Sequence, residues 1–236
     1  MLVAAAVCPC PPLLVPELAA GAAPELDALR AACLDAVAVA AAARPDRLVV
    51  VGPAAPPRDG RYPQGAVGSF RGFGVDLDVR LGRDGAAGAR PLPLSLAVGA
   101  WLLERTGWAA APVEGLAVAE SLDTDDCLAA GRELAAGEDR VALLVTGDGS
   151  ACRTLKAPGY LDDRAEPFDA ATAAALGSAD TAALAGVDQM LARELQAAGR
   201  APWQVLAGAA EGAGLRGGLL YDGAPYGVGY HVAAWS

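Results

Sequence analysis

Apolar residues along this chain follow two rhythms, and each predicts a different element. Continuous apolar runs of strand length, "LVAAAV" at 2–7, "RLVVVG" at 47–52 and "RVALLV" at 140–145, close on Gly, Pro or Cys. Strands buried on both faces read this way. "VEGLAVA" at 113–119 reads as a strand too, and "GFGVDLDVRLG" at 72–82 alternates apolar with polar, which predicts a strand with one wet face. Helical spacing takes over in "PELDALRAACLDAVAVAAAA" at 24–43, where Leu26, Leu29, Cys33, Val37 and Ala40 share a face between Pro24 and Arg44-Pro45. The same spacing predicts helices in "LSLAVGAWLLERTGW" at 94–108 and "DDCLAAGRELAAG" at 125–137. Residues 165–210 hold only helical segments, broken at Gly177-Ser178, Gly186 and Gly199, and "GGLLYDGAPYGVGYHVAAW" at 217–235 reads as two strands around a Pro225-Tyr226-Gly227 turn.

Strands alternating with helices predict one α/β domain over residues 1–236, a central mixed or mainly parallel sheet with helices on both faces. No linker divides the chain and no fixed period repeats. In such sheets the working groups sit in loops at the carboxyl ends of strands. Three are named by the pattern: Cys8 to Leu14, Gly52 to Arg61 and Gly147 to Pro158.

Composition narrows the partners. Eighteen basic against twenty-eight acidic side chains leave a formal charge of -10, a field that repels phosphate backbones and anionic lipid, so neither nucleic acid nor membrane is expected as a partner. The opening apolar run has no Lys or Arg before it, is short, and puts bulky Val7 where a cleavage site needs a small residue. It reads as a mature strand. Five scattered cysteines, Cys8, Cys10, Cys33, Cys127 and Cys152, suit reduced thiols in a cytoplasmic protein.

Four stretches together carry a resemblance: "CPCPPLLVPE", "VVVGPAAPP", "GDGSACRTLKAPGYLDDRAEPFD" and "LLYDGAPYGVGYHVAAW". Over nearly the whole chain they resemble the iron-holding subunit of the class III extradiol ring-cleavage dioxygenase superfamily, in a bacterial branch of it, with the Memo proteins as more distant kin. The resemblance implies a class III extradiol dioxygenase-like fold and a homo-oligomer. It also implies Fe(II) held by two histidines and a carboxylate, with a further histidine as acid/base. A triad of that kind leaves positions open to both reactants. Carried over residue by residue, it is not kept here. Cys10 stands in the His-Pro-Pro motif before Pro11 and Pro12, Ala54 follows Gly52-Pro53 in the second ligand's place, and Ala151 follows Gly147-Asp148-Gly149-Ser150 where the acid/base histidine belongs. Asp222 is the candidate for the last carboxylate, and the lone His231 matches no family ligand.

The residues leave several chemistries open. Cys8 and Cys10 are two apart, so an extended segment points them the same way. They could offer thiolates to Zn(II) or Cu(I), or hold Fe(II) if the site is retained, with Asp148, Cys152 or Asp222 completing the shell; Cys10 could instead be a nucleophile, which would need an electropositive setting and a base nearby. The plainer reading, and the favoured one, makes Cys8 a small core residue and Cys10 a simple replacement for a lost ligand. Asp148, Ser150 and Cys152 are the candidate catalytic groups, and Arg153 in the same loop could pair with an anion. Cys10, Pro11, Pro12, Gly52, Pro53, Ala54, Gly147, Ala151, Arg153 and Tyr226 are the expected pocket, and Cys10 with Asp222 the expected ligands of any metal. Asp162, Asp163, Glu166 and Asp169 read as a solvated helix entry. Two functions follow: a small-molecule or partner-binding scaffold that cleaves no rings and needs no cofactor, or a metal- or thiol-dependent enzyme built on Cys10.

Overall fold

In the computed structural model, which describes residues 1–236, the chain runs β1 (Leu2–Cys8), α1 (Pro16–Ala19), α2 (Asp27–Ala42), β2 (Arg47–Ala54), β3 (Gly60–Tyr62), β4 (Val67–Ser69), β5 (Asp78–Arg80), α3 (Leu94–Arg105), β6 (Val113–Ala119), α4 (Thr124–Ala135), β7 (Val141–Thr146), α5 (Ala165–Ser178), α6 (Thr181–Ala185), α7 (Gln189–Glu194), α8 (Arg200–Ala209), β8 (Gly217–Gly223) and β9 (Tyr230–Trp235). Seven strands form one sheet in the order β3-β6-β2-β7-β1-β9-β8. The continuous apolar runs make its parallel middle, with β6, β2, β7 and β1 aligned, and β3, β9 and β8 antiparallel at the flanks. A strand covered on both faces has no wet side to alternate with, so its sequence carries no period-two pattern.

Helices cover both faces. On one, α2 and α3 pack Leu29, Cys33, Val37, Leu96 and Leu102 against Ala6, Cys8, Val50 and Leu144. On the other, α4, α5 and α8 set Cys127, Leu134, Leu176, Trp203 and Leu206 against Ala5, Val7, Val49 and Val145. Strand parity decides which residue serves which face. In β9 it sends Tyr230 and Val232 to the α2–α3 side and Ala233 and Trp235 to the α4–α8 side.

Two glycines fix how closely the layers approach. At Gly131 in α4, a β-carbon would run into the carbonyl of Val205 and come 2.6 Å from the amide of Ala209 in α8. At Gly52, in β2, one would collide with Thr146 and lie 2.7 Å from the Ser95 side chain. The end of β2 is thereby pressed against β7 and the start of α3.

The 72–82 segment departs from expectation. Only Asp78–Arg80 is strand, and it pairs with β4 in a two-stranded ribbon outside the main sheet. Its alternation is real, with Val79 and Leu81 buried and Asp76 and Asp78 exposed, but half-burial under α3 produces that pattern without a long ladder. The helix expected from residue 24 begins with a 3-10 stretch at Ala20–Leu26 that contains Pro24, and becomes α-helical at Asp27. Proline lacks the N–H that regular helical bonding requires beyond the first turn.

Candidate functional site

At the carboxyl ends of the parallel strands the loops enclose a cavity of about 730 Å3. The first loop contributes Cys10, Pro11 and Pro12, the second Pro53, Ala54, Pro56, Pro57 and Arg58, and the third Asp148 and Pro158. Glu120 just after β6, Ser95 in the first turn of α3, and Tyr226, Val228 and Tyr230 also line it.

Asp148 is held by the backbone around it. Gly147 donates its amide to the Cys8 carbonyl at 3.0 Å, Gly149 donates to Gly229 at 2.7 Å, and the Asp148 carbonyl accepts from Gly199 at 2.8 Å. Its carboxylate accepts the Cys10 amide at 2.7 Å. That single bond does not offset its desolvation, and burial raises its pKa to about 6. Burial, followed by the charge of Asp148, holds the Cys10 thiol well above its ordinary range, so at neutral pH it is a thiol rather than a thiolate. Tyr230 is 3% exposed. Its hydroxyl has no hydrogen-bond partner in the chain, and burial, then Asp148, keep the phenol above its usual pKa. By contrast the Ser95 hydroxyl is committed to the Pro53 carbonyl at 2.7 Å and that of Tyr226 to Glu25 at 2.9 Å.

Other residues singled out from the sequence lie outside this lining. Gly52 and Gly147 shape it from behind, as close-approach positions. Ser150 is fully buried, its amide and hydroxyl both donating to Asp169 at 2.7 Å. Ala151 is bonded through its amide to Leu195 and through its carbonyl to the Gly159 amide. Cys152 packs with Phe168, Ala192 and Leu195, and its thiol contacts the carbonyls of Gly159 and Leu195 at 3.5 Å. Arg153 turns to Asp169 at 3.2 Å and Glu166 at 3.6 Å. Asp222 pairs with His231 Nδ1 at 2.9 Å. The third loop thus divides: Asp148 and Pro158 face the cavity, while the residues from Ser150 to Arg153 are bonded into the α5 side.

His231 is 1% exposed and lies between Asp222 and the hydroxyl of Thr172, 3.5 Å from Nε2. Burial lowers its pKa despite the nearby carboxylates of Asp169 and Asp222. Asp169, read from the sequence as part of a solvated helix entry, is 1% exposed and gathers Ser150 and Arg153. Its partners lie sixteen and nineteen residues upstream, a relation that local spacing does not reveal. No three His, Cys, Asp or Glu side chains stand together as a group able to hold a metal ion. The cavity residues that lie outside the three named loops, apart from Tyr226, were not anticipated: Pro93, Leu94, Ser95, Glu120, Ala198, Val228 and Tyr230. Glu120 was within reach, because it directly follows a predicted strand at its carboxyl end.

No protein-family model and no curated protein matches the chain. Among solved structures it is similar to the uncharacterized protein JW3007 from Escherichia coli K12, with 15% identity, 99% of each chain covered and a TM-score of 0.49.

Proposed function

We propose that this chain is a relative of the class III extradiol dioxygenases that binds a small molecule between its three strand-end loops and does not cleave aromatic rings. One observation carries the reading: the loops that hold the family's motifs contribute to a single cavity of about 730 Å3, a size suited to a small organic ligand. The donor set does not fit the family's iron. The chain has one histidine, and that residue is enclosed by Asp222 and Thr172 rather than lining the cavity. No step through a metal follows from these residues, and a fold is free to outlive its chemistry. Homo-oligomerisation and a cytoplasmic site of action belong to the same proposal.

A second reading, an enzyme using Cys10 with Asp148, has their shared place in the cavity in its favour. Cys152 and Asp222, its other proposed helpers, do not line it. Metal content after expression in iron-, zinc- and copper-supplemented medium separates the two, measured for the natural chain and for Cys10→Ala. Absence of bound metal, with no turnover of catechol or protocatechuate in added Fe(II), is expected. Stoichiometric metal that disappears in Cys10→Ala would establish the enzyme, and ring opening at full iron occupancy would overturn the first reading outright.

A further inference from the structure

Apart from the exposed Arg58 and Glu120, two polar side chains of the cavity, Asp148 and Tyr230, have bonding capacity unspent. Asp148 accepts one hydrogen bond, from the Cys10 amide, and faces no cation of the chain. Tyr230, nearly fully buried and part of the lining, has a hydroxyl without a partner. Tyr230 sits where water is scarce and Asp148 is half-buried, so both open groups face the cavity with bonding capacity that a ligand can use. The remaining polar side chains of the inner wall, Ser95 and Tyr226, are already bonded elsewhere. A ligand that satisfies the carboxylate must therefore donate to it, and the phenol oxygen beside it can accept from the same donor group.

Charge sets the sign of that ligand. The one cation in the lining, Arg58, and the carboxylate of Glu120 are both solvent-exposed, where their fields are screened alike, so the half-buried Asp148 sets the local charge. The formal charge of -10 adds to the attraction for a cation. Tyrosine rings favour the same choice, since their faces attract an ammonium group. Much of the rest of the wall is proline from all three loops, with small and aliphatic side chains such as Leu13, Ala54 and Val228 between, rigid apolar surface that fits a flat hydrocarbon body.

Resting on the small-molecule reading above, we infer that the ligand is a small organic amine, its ammonium head donating to Asp148 beside the Tyr230 hydroxyl and its apolar body lying between the proline-lined loops.

Benzylamine, benzyl alcohol and benzoate share one ring and differ in the charge of the head, so isothermal titration of the three against the full chain at neutral pH tests it. Benzylamine should bind and benzoate should not. Asp148→Asn should weaken benzylamine at least about tenfold, and Tyr230→Phe by roughly three- to tenfold, the loss expected when a charge-assisted or neutral hydrogen bond is removed. Glu120→Gln, an exposed position, provides a second electrostatic variant should Asp148→Asn fail to fold, and a modest weakening is expected from it. If benzyl alcohol or benzoate binds as well as benzylamine, the amine inference falls while the cavity reading stands. If none of the three binds, both fall.

Discussion

The amide of Cys10 donates to Asp148 Oδ1 across 2.7 Å, so the turn after β1 and the loop after β7 are joined beneath the cavity by one hydrogen bond to one carboxylate. Burial shifts that carboxyl from 3.8 to about 6, which means the folded chain binds its proton more tightly than the unfolded chain does. The stability this group contributes is greatest below pH 4, declines as pH rises from about 4 to 6, and is level above that. Some two pH units correspond to roughly 3 kcal/mol at most. Asp148→Asn keeps an oxygen for the Cys10 amide and does not titrate. It should match the natural chain near pH 4 and exceed it at pH 8 by about 2 kcal/mol in urea unfolding. A variant less stable than the natural chain at pH 8 would show that the ionised carboxylate is favourable where it stands.

Asp169 gathers the Ser150 amide and hydroxyl and the Arg153 guanidinium. Asp169→Ala leaves buried donors without an acceptor and Arg153, itself 24% exposed, without its inner partner. A loss of about 3 kcal/mol is expected, the low end for breaking a buried pair because Arg153 can turn to water. Chemical denaturation measures it. Asp169→Asn, which retains one acceptor oxygen, should lose less, and equal losses would mean that charge rather than bonding matters.

At Gly131 two effects of opposite sign compete. Alanine gains about 1 kcal/mol over glycine inside an exposed helix. Here its β-carbon meets the backbone of α8 at Val205 and Ala209, and backbone cannot swing aside as a side chain does. Overpacking of about 1–3 kcal/mol should prevail. Gly131→Ala is expected to lower the thermal midpoint, and a rise would show that α4 and α8 can part freely.

All five cysteines are buried, and burial raises the thiol pKa values of Cys10, Cys33, Cys127 and Cys152. Cys10 reaches the cavity but is held as a thiol, and the other four lack access. A coloured disulfide reagent at pH 8 should react slowly with the native chain and rapidly with five thiols in denaturant. Fast labelling of Cys10 in the native state, located by peptide mapping, would instead favour the thiol-dependent reading.

Much of this architecture was legible because it rests on local rules. The breaks at Gly177-Ser178, Gly186 and Gly199 fall where α5, α6 and α8 end or begin, and "VEGLAVA" is β6 residue for residue. Cys10, Pro12, Pro53, Ala54 and Tyr226 were placed in the cavity by motif and by position after strands. What stayed hidden depends on which way a residue faces once distant segments meet. Ser150 and Cys152 follow Asp148 closely, yet their partners are Asp169 and Leu195. In the same way, Tyr230 and His231 are neighbours in sequence that serve different layers.

That last separation has a consequence for anyone who would build a metal centre here. Because adjacent residues in a strand project oppositely, sliding β9 by one place to bring the imidazole inward would evict the phenol and turn Trp235 out of its layer with it. A redesign must instead graft new nitrogen donors onto the loops, at Cys10 and Ala54, and leave the strand's register alone.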